Sequence, residues 1–129
     1  MGYHYSKKSD KPFADTLENL KASLQKEGFG ILTQIDLKET FKKKLDIDYR
    51  NYQILGACNP HFAHQALAIE PTLGVMLPCN VTVQEQANGE LIVSAINPME
   101  TMALSIQNNE LENVAAQVSE RLNRAVDAC

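Results

Sequence analysis

Two helices are predicted near the start of the chain from the spacing of apolar residues. The first begins at Asp10-Lys11-Pro12, where proline suits an early helical position, and Gly28 is a natural left-handed stop. Asp36 and Glu39 have the spacing of a capping box, with Asp in the usual Ser or Thr place, and predict the start of the second helix. The apolar stripes are Phe13, Leu17, Leu20 and Leu24 in the first helix and Leu37, Phe41 and Leu45 in the second.

Five strands are predicted from alternating or uncharged runs. Residues 2–8 have the pattern of a short strand, and residues 52–57 form an uncharged run that predicts a third strand. Asn88-Gly89 is a strong hairpin signal, which joins a fourth strand near Val81 to a returning strand over Leu91–Ile96. The second strand is predicted from the regular alternation of Phe29, Ile31, Thr33 and Ile35.

Two Asn-Pro pairs predict further helix starts. Asn59-Pro60 and Asn97-Pro98 both follow uncharged strands, with Asn as the cap and Pro at the first helical position. The last helix is predicted from about Glu110 to Asp127. The predicted order is β-α-β-α-β-α-β-β-α-α, which indicates an α+β fold with a single mixed or antiparallel sheet of about five strands, covered by helices. At 129 residues, positions 1–129 are expected to form a single domain.

Charge is spread unevenly along the chain. Lys and Arg do not occur between Tyr52 and Glu120, and the acidic residues between positions 51 and 99 are Glu70, Glu85 and Glu90. Such a stretch is expected to be buried, either in the core or against a partner. We therefore expect a homodimer with a large apolar interface, an enclosed apolar pocket for a small molecule, or both.

The composition argues against several classes of protein. A formal net charge of −4 and a pI of about 5.3 disfavour a general nucleic-acid partner. The first residues lack the apolar segment of a secretory signal, and apolar runs fall short of the roughly 18 residues that span a membrane. We expect a cytoplasmic protein with reduced cysteines and no membrane partner. The standard phosphate, dinucleotide, serine-hydrolase and zinc-protease motifs are missing, so the sequence decides neither cofactor nor enzymatic activity.

The densest group of chemically active residues is Gly-Ala-Cys-Asn-Pro-His-Phe-Ala-His at 56–64. Cys58 precedes a helix start, whose positive end favours a thiolate. Zinc or a late transition metal could use the spacing of Cys58, His61 and His64, with Cys79 as a fourth ligand. A purely structural role is the alternative, because paired Cys-x-x-Cys spacing is absent and a metal site needs a closed ligand set.

Other sulfur-bearing residues also have two interpretations. Cys79 enters an apolar strand, where cysteine is commonly a packing residue. It could form a redox couple with Cys58 if their Cα atoms come within about 7 Å. Three methionines could add soft ligands for copper or haem, although their positions also suit core packing; they are Met76, Met99 and Met102.

Gly-Ala-Cys-Asn-Pro at 56–60 and Leu-Pro-Cys-Asn-Val at 77–81 are the most specific of several short elements. The others are Ala66-Leu67, Pro71 with Gly74, and Asn97-Pro98 with Met99. Together they resemble the prokaryotic family called domain of unknown function 302, over nearly the whole chain. The resemblance implies a small α+β fold that tends to form homodimers, with no assigned activity. It implies that one neighbourhood contains Cys58, Asn59, Pro60, Pro78, Cys79 and Asn80. His64 fits the family motif better than His61.

Three functional hypotheses follow from these residues. The first is a homodimeric module that binds a small ligand in a pocket lined by Cys58, Asn59, His64, Cys79 and Asn80. The second is a thiol-dependent redox, sulfur-handling or metal-binding protein that uses Cys58, Cys79 and His64. The third is a structural or partner-binding dimer without a site, in which Asn59 and Asn80 cap helices and cross-link the sheet.

Overall fold

A computed structural model describes residues 2–129 as a five-stranded sheet with helices. The strands are β1 (His4–Ser9), β2 (Gly30–Asp36), β3 (Tyr52–Cys58), β4 (Cys79–Glu85) and β5 (Leu91–Ile96). The helices are α1 (Phe13–Lys26), α2 (Leu37–Leu45), α3 (Pro60–Ile69) and α4 (Asn109–Ala128). A 3-10 turn covers Pro71–Met76, and a π-helical turn covers Met99–Ala103. The predicted α+β fold and the predicted order of elements are confirmed.

Every pair of neighbouring strands in the sheet is antiparallel. The spatial order is β1-β5-β4-β3-β2, so the first strand pairs with the last. His4 lies opposite Ile96, and Tyr52 lies opposite Gln84. The β4–β5 hairpin turns where Asn88-Gly89 predicts, and Gly89 adopts φ +87°, a left-handed conformation that favours glycine.

The core lies between one face of the sheet and the helices. Helices α1 and α4 pack on each other and on this face, and α3 packs beside α4. Strand side chains alternate between faces, so Leu55 and Ala57 point into the core while Ile54 and Gly56 point to the other side. Every residue of α2 is at least partly exposed. Within residues 2–129, the helices lack the combination of length and hydropathy that crossing a bilayer requires.

The regular alternation predicted for β2 is wrong at one point. An unbroken strand would place Phe29, Ile31, Thr33 and Ile35 on the same face. A β-bulge lies between Ile31 and Thr33, so that Ile31 pairs with Ala57 and Thr33 with Gly56. Ile31 therefore packs against the core, whereas Thr33 and Ile35 belong to the opposite face. The extra residue, Leu32, is 65% exposed.

Two of the predicted helix caps, Asp36 and Asn97, form the expected side-chain hydrogen bond, whereas Asn59 does not. The Asp36 side chain accepts a hydrogen bond from the Glu39 amide at 3.1 Å, and Asn97 Oδ1 accepts one from the Met99 amide at the same distance. Asn59 occupies the cap position of α3, but its side-chain amide donates to the Glu27 carbonyl oxygen at 3.4 Å. Its role is therefore to connect the start of α3 to the end of α1.

Candidate functional site

The two cysteine turns meet at the end of the β3–β4 ladder. Ala57 is the partner of Cys79 in the antiparallel register, so Cys58 follows directly at the end of the same strand pair. Both cysteines line one apolar cavity of about 30 Å³ beneath α3 and α4. We call it the sulfur cavity; Cys58, Cys79 and Met102 lie in its wall together with Ala57, Phe62 and Ala115. Asn59 lines its edge.

The two thiols occupy different environments within this cavity. Cys79 is only 5% exposed, and burial raises the pKa of its thiol to about 11, with the charge of a Cys58 thiolate as a smaller contribution in the same direction. Cys58 is partly exposed and forms the more accessible side of the pair. Both are free thiols. A molecule that approaches from solvent therefore meets Cys58 before Cys79.

Glu27, at the end of α1, ties the edge of the cavity to α4. Its carbonyl oxygen accepts hydrogen bonds from Asn59 Nδ2 and, at 3.2 Å, from Arg121 Nη1. The Arg121 guanidinium also lies 5.3 Å from the ring centroid of Phe62, a wall of the cavity. These contacts hold the Asn59 turn and the α3 start against the two longest helices.

Arg121, which contacts the wall of the cavity without lining it, is a residue that the sequence reasoning missed. It is the first cation after the long stretch without Lys or Arg, and it lies next to the fully buried Leu122 on α4. A cation that directly precedes a core position of a helix is the sequence signal that could have indicated Arg121.

Two of the predicted pocket residues lie away from the sulfur cavity. His64 is exposed on α3, as is His61, and neither lines the cavity. Asn80 follows Cys79 along β4 and therefore points to the opposite face of the sheet. In residues 2–129, three or more His, Cys, Asp or Glu side chains do not converge into a metal-ligand cluster. The predicted set of Cys58, His61, His64 and Cys79 is accordingly not brought together.

Asn80 instead lines a depression of about 470 Å³ on the face of the sheet opposite the core. We call it the sheet depression; its floor includes Tyr52, Asn80, Thr82, Gln84, Ile92 and Ser94. At one side, Ser94 Oγ and Ser6 Oγ are hydrogen-bonded at 2.7 Å. Among the described residues that line it, Asp, Glu, Lys and Arg are all absent. The charge-poor middle of the chain thus forms two surfaces, the sulfur cavity and the sheet depression.

Comparison with known proteins agrees with this architecture. The family described as "Domain of unknown function DUF302" matches residues 5–129. The chain is also similar to a solved structure, the crystal structure of the uncharacterized conserved protein DUF302 from Bacillus stearothermophilus, with a TM-score of 0.90 and 30% sequence identity. That similarity covers 98% of each chain. A search of curated proteins gave no match. Since the family match extends over almost the whole sequence, the chain belongs to the DUF302 family.

Proposed function

We propose that this protein is a small-ligand binding module and that the sulfur cavity is its site. The observation that carries the proposal is that Cys58 and Asn59, at the end of β3, line one cavity with Cys79, which is distant from them in sequence. Asn59, at the start of α3, adds a polar residue to the lining, while the walls are otherwise apolar apart from the two thiols. A few polar groups at the edge of an apolar cavity are typical of a ligand site.

The size of the cavity restricts the ligand. A volume of about 30 Å³ admits one or two water-sized groups. A drug-sized or nucleotide-sized molecule is far larger than this space. We therefore propose a ligand of one or two heavy atoms that is either apolar or polarizable enough to interact with sulfur.

Xenon uptake tests whether the cavity accepts such a ligand. Xenon is a single apolar atom that enters dry cavities, and its arrival shifts the amide NMR signals of the residues around it. We expect shifts at Cys58, Phe62 and Ala115. Ala63→Leu should abolish them, because Ala63 lines the cavity and is only partly exposed. Ala68→Leu is the matched control, since Ala68 is exposed on the same helix. Absence of xenon-induced shifts, or equal shifts in the two variants, would contradict the proposal.

A second proposal concerns assembly through the sheet depression. A chain with a formal net charge of −4 repels its own copies, whereas the lining of the depression is uncharged and the nearby Arg50, which contacts Tyr52 and Gln84, is a cation. Ile92 and Ile96 add apolar area to it. We propose that this face joins two copies into a homodimer, in which the sheets pack against each other.

Light scattering coupled to gel filtration measures this association directly. The wild-type chain should give the mass of two copies at micromolar concentration. Thr82→Lys should give the mass of one copy, because it places a charge in the middle of each facing surface. Thr72→Lys, in the exposed 3-10 turn, is the control that should leave the mass unchanged. A wild-type monomer at this concentration excludes the dimer.

A further inference from the structure

We propose that the sulfur cavity binds one Cu(I) ion, held by the thiolates of Cys58 and Cys79 and the thioether of Met102. This inference rests on the proposed function, because it assigns a ligand to the same cavity. Its basis is that three sulfur-containing residues from different elements, Cys58 in β3, Cys79 in β4 and Met102 in the π-helical turn, all line one small, apolar space. Thiolate and thioether are the soft ligands that select Cu(I).

The π-helical turn explains why Met102 belongs to this set. Asn97 caps the turn and is itself held by Ser119 Oγ at 3.3 Å, so the segment Met99–Ala103 is anchored to α4. Met102 is 5% exposed and lines the cavity, whereas Met99, on the same turn, lies outside the lining. Short π-helical segments are frequent at functional sites, where they direct one side chain to a particular place.

The same ligand set disfavours the harder divalent metals. Zinc in a structural site takes four Cys, His or carboxylate ligands, and such a cluster is not found among the described residues. Magnesium and calcium require oxygen ligands, which the apolar wall does not supply. Two thiolates and one thioether are enough for a Cu(I) ion, which prefers sulfur and is satisfied by few ligands.

Binding requires no change of oxidation state. Cu(I) enters with one positive charge, two copper–thiolate bonds form, and the two thiol protons leave to solvent, while copper remains Cu(I). The site then carries one net negative charge. The Arg121 guanidinium, which lies over the Phe62 wall, provides positive charge nearby. Cys58 is partly exposed and can receive the ion from solvent before Cys79 completes the site.

Anaerobic competition with a chromophoric Cu(I) chelator tests the inference, in a Cys129→Ser background that removes the third thiol. We expect one Cu(I) per chain, and loss of this binding in Cys58→Ser and in Cys79→Ser. Met102→Leu should weaken the affinity by at least the roughly tenfold that loss of a supporting partner costs a metal site. Met99→Leu is the matched control and should leave the affinity unchanged. Both methionine variants conserve volume, so they test the thioether even if a cysteine variant fails to fold.

The outcomes separate this inference from the proposed function. Equal Cu(I) affinity in the Met102→Leu and Met99→Leu variants removes Met102 from the site. Unchanged affinity in both folded cysteine variants overturns the site altogether. Xenon uptake without Cu(I) binding contradicts the proposed Cu(I) site, but it is consistent with a cavity that binds another small ligand. If neither xenon nor Cu(I) enters, the proposed function itself fails.

Discussion

Gly56 shows how closely the backbone packs beside the cysteine turns. A Cβ at this position would overlap the Thr33 hydroxyl and lie 2.8 Å from Pro78 Cγ, so two neighbours from different segments would have to move. Gly74, in the exposed 3-10 turn, has open space at the corresponding position within the described chain. Only glycine therefore fits between β2 and the Leu77-Pro78 turn.

Replacement of Gly56 should be costly for this reason. We expect Gly56→Ala to lower the free energy of unfolding by about 1–3 kcal/mol, the usual effect of overpacking. Urea denaturation followed by circular dichroism measures the change, with Gly74→Ala as a control that shifts the midpoint little. Equal midpoints for the two variants would show that the strands relax around the added methyl group.

The two site thiols should differ strongly in reactivity. Alkylation requires both access and a thiolate, and burial withholds both from Cys79, whose pKa is raised to about 11. At pH 8, roughly one thousandth of such a thiol is ionised. We expect iodoacetamide to label Cys58 well before Cys79 in the native protein, and at similar rates in denaturant. Peptide mass spectrometry over a time course gives both rates, and fast native labelling of Cys79 would show that it is not enclosed.

Part of this site could be predicted from sequence, and part could not. The motifs around Cys58 and Cys79 predicted two site residues, and both line the same cavity. Asn80 could have been separated from them, because adjacent residues of a strand face opposite sides. His64 could have been excluded as well, since it lies nearly opposite Phe62 and Ala66 on the α3 helix wheel. Met102 and Arg121 reach the site only through the packing of distant elements, which local spacing does not contain.

At the scale of elements, the two Asn-Pro helix starts have the same sequence and different roles. Asn97 is buried; its Oδ1 accepts hydrogen bonds from the Met99 amide and Ser119 Oγ. Asn59 is partly exposed and donates a single long bond to the Glu27 carbonyl, which Arg121 also satisfies. Removal of Asn97 leaves two partly buried donors unpaired, whereas removal of Asn59 leaves its acceptor with another partner.

The two Asn→Ala variants should differ accordingly. We expect Asn97→Ala to cost about 1–3 kcal/mol, the penalty for unsatisfied buried groups, and Asn59→Ala to cost about 0.5 kcal/mol, near the low end for one hydrogen bond. Thermal unfolding of both variants under identical conditions measures the difference. A larger loss for Asn59→Ala would mean that its bridge to α1, rather than the Asn97 cap, dominates.

Short sequence patterns were sufficient to predict those features that depend only on neighbouring residues. The Asp36 cap, the Gly28 stop, the Asn88-Gly89 turn and the stripe of α1 all depend on residues within one or two turns. The β2 bulge has a different origin, since it arises where Thr33 must pair with Gly56 on a neighbouring strand. The π-helical turn likewise depends on Ser119 and α4. Such features depend on contacts that are remote in sequence.

At the scale of the whole molecule, one ion pair joins the end of α1 to α4. Arg124 Nε and Nη2 both donate to Glu27 Oε1, at 3.2 and 2.9 Å. This hydrogen bonding lowers the pKa of the Glu27 carboxyl below its ordinary value, against an opposing effect of burial. The unfolded chain therefore binds the proton more readily than the folded one. The stabilisation is fully present above the ordinary carboxyl pKa and disappears as pH falls through the lowered one.

Glu27→Gln should remove this pH-dependent contribution while it preserves the size of the side chain and the backbone carbonyl. We expect the variant to be less stable than the wild type at neutral pH, and the two unfolding curves to converge in acid. The difference should be modest, because solvent screens the exposed guanidinium. Glu120→Gln, which removes the other and more exposed partner of Arg124, should have a smaller effect. A constant difference between Glu27→Gln and wild type at all pH values would assign the loss to packing instead of charge.

The pairing of the first strand with the last has a consequence for biosynthesis. His4 lies opposite Ile96 and Ser9 opposite Leu91, so β1 takes its place only beside β5. A ribosome delivers β1 first, and most of the chain must emerge before its partner is complete. Until then the edge of β1 offers unpaired amide and carbonyl groups, the kind of edge that recruits foreign strands. Lys7 and Lys8 place positive charges on the unpaired β1 strand. Repulsion between these charges should discourage two nascent chains on the same mRNA from pairing through β1.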